Sequence, residues 1–134
     1  MGNILHFLFY SLQGIIKNMK WIAIITLSIL VNTFGLLVAA NYISGFTLSG
    51  DLTETVLVAL VLTFLNMTLK PILRLFLGPI IILTLGLGLI FVNAIILYIL
   101  DILSKNLMIE SILPLLWGSV IIGGLNFIVH LVKK

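Results

Sequence analysis

The chain has 134 residues, 62% of them hydrophobic and only 8% charged, with a formal net charge of +3 and a mean hydropathy of +1.37. A water-soluble domain carries about 25% charged residues, and this composition folded in water would expose contiguous apolar patches that a bilayer accepts readily. Soluble enzymes, nucleic-acid binders and disordered regulators are thereby excluded, and the absence of cysteine removes disulfides, thiolate metal sites and thiol nucleophiles.

At the N-terminus, Ile4, Leu5, Phe7, Leu8, Phe9, Leu12, Ile15 and Ile16 are mixed with His6, Ser11 and Gln13 and end at Lys17. This composition predicts an amphipathic segment over residues 1–20 lying in the membrane interface. Beyond it, charged residues act as punctuation: none occurs from Trp21 to Gly50, Thr55 to Leu69, Leu75 to Leu100 or Ser111 to Val132. A spanning helix needs about 20 apolar residues, so four transmembrane helices are expected near Trp21–Tyr42, Leu52–Leu69, Pro79–Leu103 and Ser111–Leu131. The first run is too long for a signal-peptide core and is read as a permanent helix.

Lys70-Pro71 is expected to close the second span, because proline removes a backbone donor and disfavours helical geometry in the residue before it. Residues 71–78 then form a cytoplasmic or interfacial turn between a first hairpin, 21–70, and a second, 79–134. Pro79, Gly86 and Gly88 predict a tilt or kink in the long third apolar stretch. Lys17, Lys20, Lys70, Arg74, Lys133 and Lys134 all fall on one side of this scheme and only Lys105 on the other. That asymmetry places both termini in the cytoplasm.

The spans contain an internal repeat. Val31-Asn32 recurs as Val92-Asn93 and Leu65-Asn66 as Leu125-Asn126, at offsets of 61 and 60 residues. Leu and Ile matches mean little in such a chain, but asparagine is rare in spans, and two matches at nearly one offset indicate a helical hairpin used twice. An even number of spans separates the copies, so they are parallel repeats about an axis along the membrane normal. The fold class expected is therefore an all-α integral membrane protein of four transmembrane helices.

Asn32, Asn66, Asn93 and Asn126 form a candidate intramembrane polar seam. A bare carboxamide in hydrocarbon is costly, so all four face protein or water. As a lining they could pass ions or water between assembled subunits; as interhelical hydrogen bonds they contribute about 0.6 to 2 kcal/mol each. The second use is favoured. Gly86, Gly88, Ser119 and Gly123 are candidate helix-packing positions, Ser119 and Gly123 being spaced four apart for close approach within one chain or between copies. Lys70, Pro71 and Arg74 mark the cytoplasmic turn, where the cations could meet anionic headgroups. Asp101 and Lys105 are expected to pair at the outer interface, and His6 and His130 read as interface residues, not metal ligands.

No catalytic triad, paired intramembrane carboxylates, phosphate-binding glycine loop or metal cluster is present in the sequence. The reading is thus of a non-enzyme without cofactor, catalytic or metal residues, with the lipid bilayer and a second copy or another membrane protein as partners. Neither nucleic acid nor a small-molecule substrate is expected.

The run from Asn66 through Lys70-Pro71-Ile72-Leu73, then Gly78-Pro79-Ile80, Ile82-Leu83-Thr84-Leu85-Gly86 and Val92-Asn93-Ala94 resembles the four-span phage-holin-like family known as holin superfamily IV. The likeness extends from about Trp21 onward. Gly45-Phe46-Thr47-Leu48 fits its outer loop, whereas the counterpart Asn106-Leu107-Met108-Ile109 lacks the glycine and phenylalanine. The resemblance implies a bacterial cytoplasmic membrane protein, holin-like or pore-forming through homo-oligomers, in a family with many members of unassigned activity. The alternative expectation is a non-conducting accessory subunit of a larger membrane complex or stress system.

Overall fold

Long runs of Leu, Ile and Val can satisfy their backbone groups in a bilayer only as helices, and helix dominates the computed structural model, which describes residues 2–133. The elements are α1 (Gly2–Tyr42), β1 (Phe46–Leu48), α2 (Leu52–Leu83), α3 (Gly88–Leu103), β2 (Leu107–Ile109) and α4 (Ile112–Lys133). The α1, α2 and α4 helices are long and apolar enough to cross a membrane, and α3 is a shorter apolar helix of 16 residues. Each helix packs against the next in chain order, and α4 closes the ring against α1. The protein is an all-helical integral membrane protein with four transmembrane helices.

The parallel repeat is visible in the two strands. β1 and β2 pair antiparallel, Phe46 opposite Ile109, Thr47 opposite Met108 and Leu48 opposite Leu107. The 61-residue offset carries Phe46, Thr47 and Leu48 onto Leu107, Met108 and Ile109, so exchanging the halves maps the strand pair onto itself about the Thr47–Met108 rung. Ser49 N–H donates to the Asn106 carbonyl at 2.7 Å and Glu110 N–H to that of Gly45 at 2.9 Å. Phe46 and Leu107 point inward and are buried, closing one end of the bundle. The Phe46 ring lies on Gly118 of α4, where a Cβ would come within 2.8 Å of it.

Three expectations are corrected. First, α2 does not stop at Lys70: it runs on through Pro71 and Pro79 to Leu83, so residues 71–78 are helical. Proline in a membrane helix is tolerated where neighbours re-satisfy the freed carbonyls, and Leu69, Leu73, Leu77 and Ile81 pack this continuation against the core at four-residue spacing. Its 32 residues span ~48 Å if straight, against ~24 Å for α3. Pro71 and Pro79 each remove one amide donor from the α2 hydrogen-bond ladder.

Second, the predicted kink is a full break. Gly86 N–H reaches the Ile81 carbonyl at 2.8 Å and Leu85 N–H that of Ile82 at 3.2 Å, which is a Schellman ending. Leu85 occupies the left-handed position (φ 55°) and Gly86 follows at φ 94°. Thr84 joins both helices: its hydroxyl donates to Ile80 at 2.7 Å and accepts from Gly88 N–H at 2.8 Å. Third, Asp101 and Lys105 form no ion pair, because α3 ends at Leu103 and leaves Lys105 in the turn.

The N-terminal segment is helical from Gly2 and continuous with the first span. Of the basic residues used to argue orientation, Lys134 and the side chain of Lys133 lie outside the described residues.

A candidate site at the asparagine seam

The four asparagines stand on four helices, and the structure treats the repeat-related pairs differently. Asn32 on α1 is almost fully buried. Its Nδ2 donates to Thr63 Oγ1 on α2 at 2.8 Å, while its Oδ1 accepts from Asn126 Nδ2 on α4 at 2.9 Å. Thr63 Oγ1–H donates in turn to the Ala59 carbonyl at 2.7 Å, and Asn126 also donates to that of Ile122 at 2.9 Å. Three helices are thus joined by one chain of hydrogen bonds in which every hydroxyl and amide has a use.

The repeat counterpart of the Asn126–Asn32 bond would join Asn66 on α2 to Asn93 on α3, and it is missing. Asn66 Nδ2 is buried without a hydrogen-bond partner. The cause is legible at two matched positions. At offset 61, Gly35 corresponds to Ile96. Gly35 lies 3.1 Å and 3.2 Å, by an ideal Cβ, from side-chain atoms of Leu125 and Ile122, so α1 and α4 approach closely enough for their asparagines to meet. At the matched place α3 carries Ile96, a fully buried branched side chain, where α1 has a glycine. At offset 60, Thr63 corresponds to Gly123, so Asn93 has no hydroxyl opposite it. Its Nδ2 instead occupies the space where a Cβ on Gly123 would stand.

The packing candidates divide. Gly88 is buried, and a Cβ there would lie 2.9 Å from the Ile81 Cα, so it permits close approach of α3 to the end of α2. Ser119 is fully buried and donates to the Leu115 carbonyl at 2.7 Å, and Gly123 carries Asn93. Both are used within the chain's own bundle. Gly86 differs from expectation: nothing lies within 4 Å of its Cβ position, and its task is the positive φ of the turn. Lys70, Pro71 and Arg74 lie on the continuous α2, Lys70 half-buried and Arg74 exposed. The rings of His6 and Tyr10 are 5.7 Å apart. Among the described residues, no group of three or more His, Asp or Glu side chains is placed to hold a metal.

Sequence reasoning missed Thr63 and Gly35. Both could have been found by extending the repeat, since each lies three residues from a matched asparagine at a position where the two copies differ.

A bundle of four spans made from a duplicated hairpin, joined by asparagines and capped by a strand pair, defines a class of small multi-pass membrane protein. Residues 22–128 match the model of the mycobacterial four-transmembrane phage holin family, superfamily IV, and the chain belongs to that family. It is 32% identical over 112 residues to the uncharacterized membrane protein YvlD of Bacillus subtilis (strain 168), covering 83% of this chain and 90% of that protein. No solved structure matches it.

Proposed function

We propose that the protein is a holin-like membrane protein of the bacterial cytoplasmic membrane, non-enzymatic, with both termini in the cytoplasm, which permeabilises the bilayer by assembling as homo-oligomers. The observation that carries this reading is the family match over residues 22–128. The six-to-one distribution of basic residues supports the orientation. Because Phe46 and Leu107 fill one end of the bundle, the conducting path runs between copies and not through one of them. The seam asparagines then hold the subunit together, and Lys70 and Arg74 sit where headgroups would meet them.

A second reading, a non-conducting accessory subunit, draws on the seam itself. Asn32, Asn126 and Thr63 spend their polar groups inside the chain, and the surface left to neighbours is apolar. Liposomes holding increasing protein and a size-graded set of dyes separate the two. Abrupt release of large dyes above a threshold ratio is expected of a holin; release of ions alone indicates a narrow channel, and tight vesicles at every ratio establish the accessory reading. Asn32→Leu with Asn93→Leu abolishes leakage only if the asparagines line the path. With the path between copies, leakage persists in protein that remains folded.

A further inference from the structure

The first 22 described residues of α1 have no neighbour of their own. Every residue from Gly2 to Ala23 is exposed, whereas burial begins at Ile24. Register accounts for α4: it runs antiparallel to α1 with Asn126 at Asn32, so its end at Lys133 reaches the level of about residue 25 at equal helical rise, while the continuation of α2 to Leu83 leaves the arm uncovered. An arm of ~33 Å therefore extends α1 past the bundle. This arm also precedes the family match, which starts at residue 22.

Its surface is patterned. Leu5, Leu8, Leu12, Ile15, Met19 and Ile22 follow one another at alternating steps of three and four, the spacing of a helix-packing seam. The spacing continues through Thr26 into Ile29, Thr33 and Leu36, of which Thr33 and Leu36 are buried and Ile29 packs against the core. The stripe is therefore the outward continuation of the face by which α1 already packs. Asn3, His6, Tyr10, Gln13, Lys17 and Lys20 keep the same spacing on the opposite side. Phe9 and Ile16 widen this face, and Ile4, Phe7 and Trp21 carry apolar surface beyond it, more than a two-stranded coil covers and nearer to what a bundle buries.

A surface with Leu5 68%, Leu8 51%, Leu12 57%, Ile15 55% and Met19 63% exposed is not left in water. Lying flat on the membrane would demand a sharp turn between arm and span. Such kinks occur at proline, at Gly/Ser pairs or at bulges; α1 has no proline, and the helix runs unbroken through Gly14 from Gly2 to Tyr42. We infer that residues 5–22 pack against the same segment of further copies of this chain, as a parallel helical bundle coaxial with the first span. This deepens the oligomeric reading given above by naming its contact surface, and it stands apart from whether the oligomer conducts.

The native chain has no cysteine, so single cysteines report cleanly. Leu8→Cys, Leu12→Cys and Ile15→Cys are compared with Tyr10→Cys, Gln13→Cys and Lys17→Cys in the full-length protein, reconstituted at low protein-to-lipid ratio in phosphatidylglycerol–phosphatidylcholine vesicles and oxidised. Seam cysteines are expected to form disulfide-linked dimers at least tenfold faster than those on the polar side. Equal rates on both sides, or no dimers at any position, overturn the inference. Spin labels on the same cysteines test the competing occupant: seam labels relaxed by lipid-soluble oxygen, without cross-links, assign the arm to the membrane surface. The triple variant Leu8→Glu, Leu12→Glu, Ile15→Glu is expected to lower the assembled mass in detergent while helicity of the bundle persists; an unchanged mass contradicts the seam. Dye release from the same vesicles separates the two readings, since cross-linking in tight vesicles keeps the arm contact and removes permeabilisation, and leakage without cross-linking does the reverse.

Discussion

At the strand pair the two halves of the chain are interchangeable, whereas midway along the helices they are not. Phe46–Ile109 and Leu107–Leu48 are related pairs in one small sheet, and both strands turn their first residue into the core. Where α1 meets α4, Gly35 lets two asparagines bond at 2.9 Å; in the other copy Gly123 stands in place of Thr63, Asn93 lies against that glycine, and Asn66 Nδ2 has no partner. A duplicated hairpin preserves its backbone relation because the ends must still close, while side chains inside are free to diverge once one seam suffices. The lesson is that equal residues at equal repeat positions do not carry equal energy.

The comparison breaks most severely if Gly35 is changed to its counterpart. Gly35→Ile forces a branched side chain into contacts already at 3.1 Å and 3.2 Å and is expected to cost about 3 kcal/mol, with loss of the Asn126–Asn32 bond, measured by reversible unfolding in mixed micelles. Two glycine-to-alanine changes sharpen it further. Gly88→Ala meets the Ile81 backbone and costs about 2 kcal/mol, whereas Gly123→Ala meets only the movable amide of Asn93 and costs below about 1 kcal/mol, since strain is relieved wherever a flexible end can shift. The smallest effect has the opposite sign: Leu85→Gly relieves a left-handed leucine that is 96% exposed and raises stability by about 1 kcal/mol.

Much of this was legible from the sequence. Charge-free stretches marked four spans because a charge in hydrocarbon is expensive, and the asparagine repeat indicated a parallel duplication. The helix end at Lys70 was misplaced because propensity rules for proline assume water-exposed helices, while here Leu73, Leu77 and Ile81 hold the chain helical beyond it. The three-residue strands had no local signal: each exists only because the other loop, some sixty residues away, supplies its partner. Asn32, Asn66, Asn93 and Asn126 were identifiable as a set, but their pairing depends on Gly35, Thr63 and Gly123, of which the sequence singled out only Gly123, and that as a packing position and not as the neighbour of Asn93.

The claim that one seam is latched and its counterpart is open is tested most directly by comparing Asn126→Leu with Asn66→Leu in unfolding free energy. Asn126→Leu leaves the buried Asn32 Oδ1 without its donor and is expected to destabilise by about 1 to 2 kcal/mol. Asn66→Leu removes a donor that bonds nothing and is expected to leave stability unchanged or raise it by about 1 kcal/mol. Equal losses from the two substitutions would contradict the account.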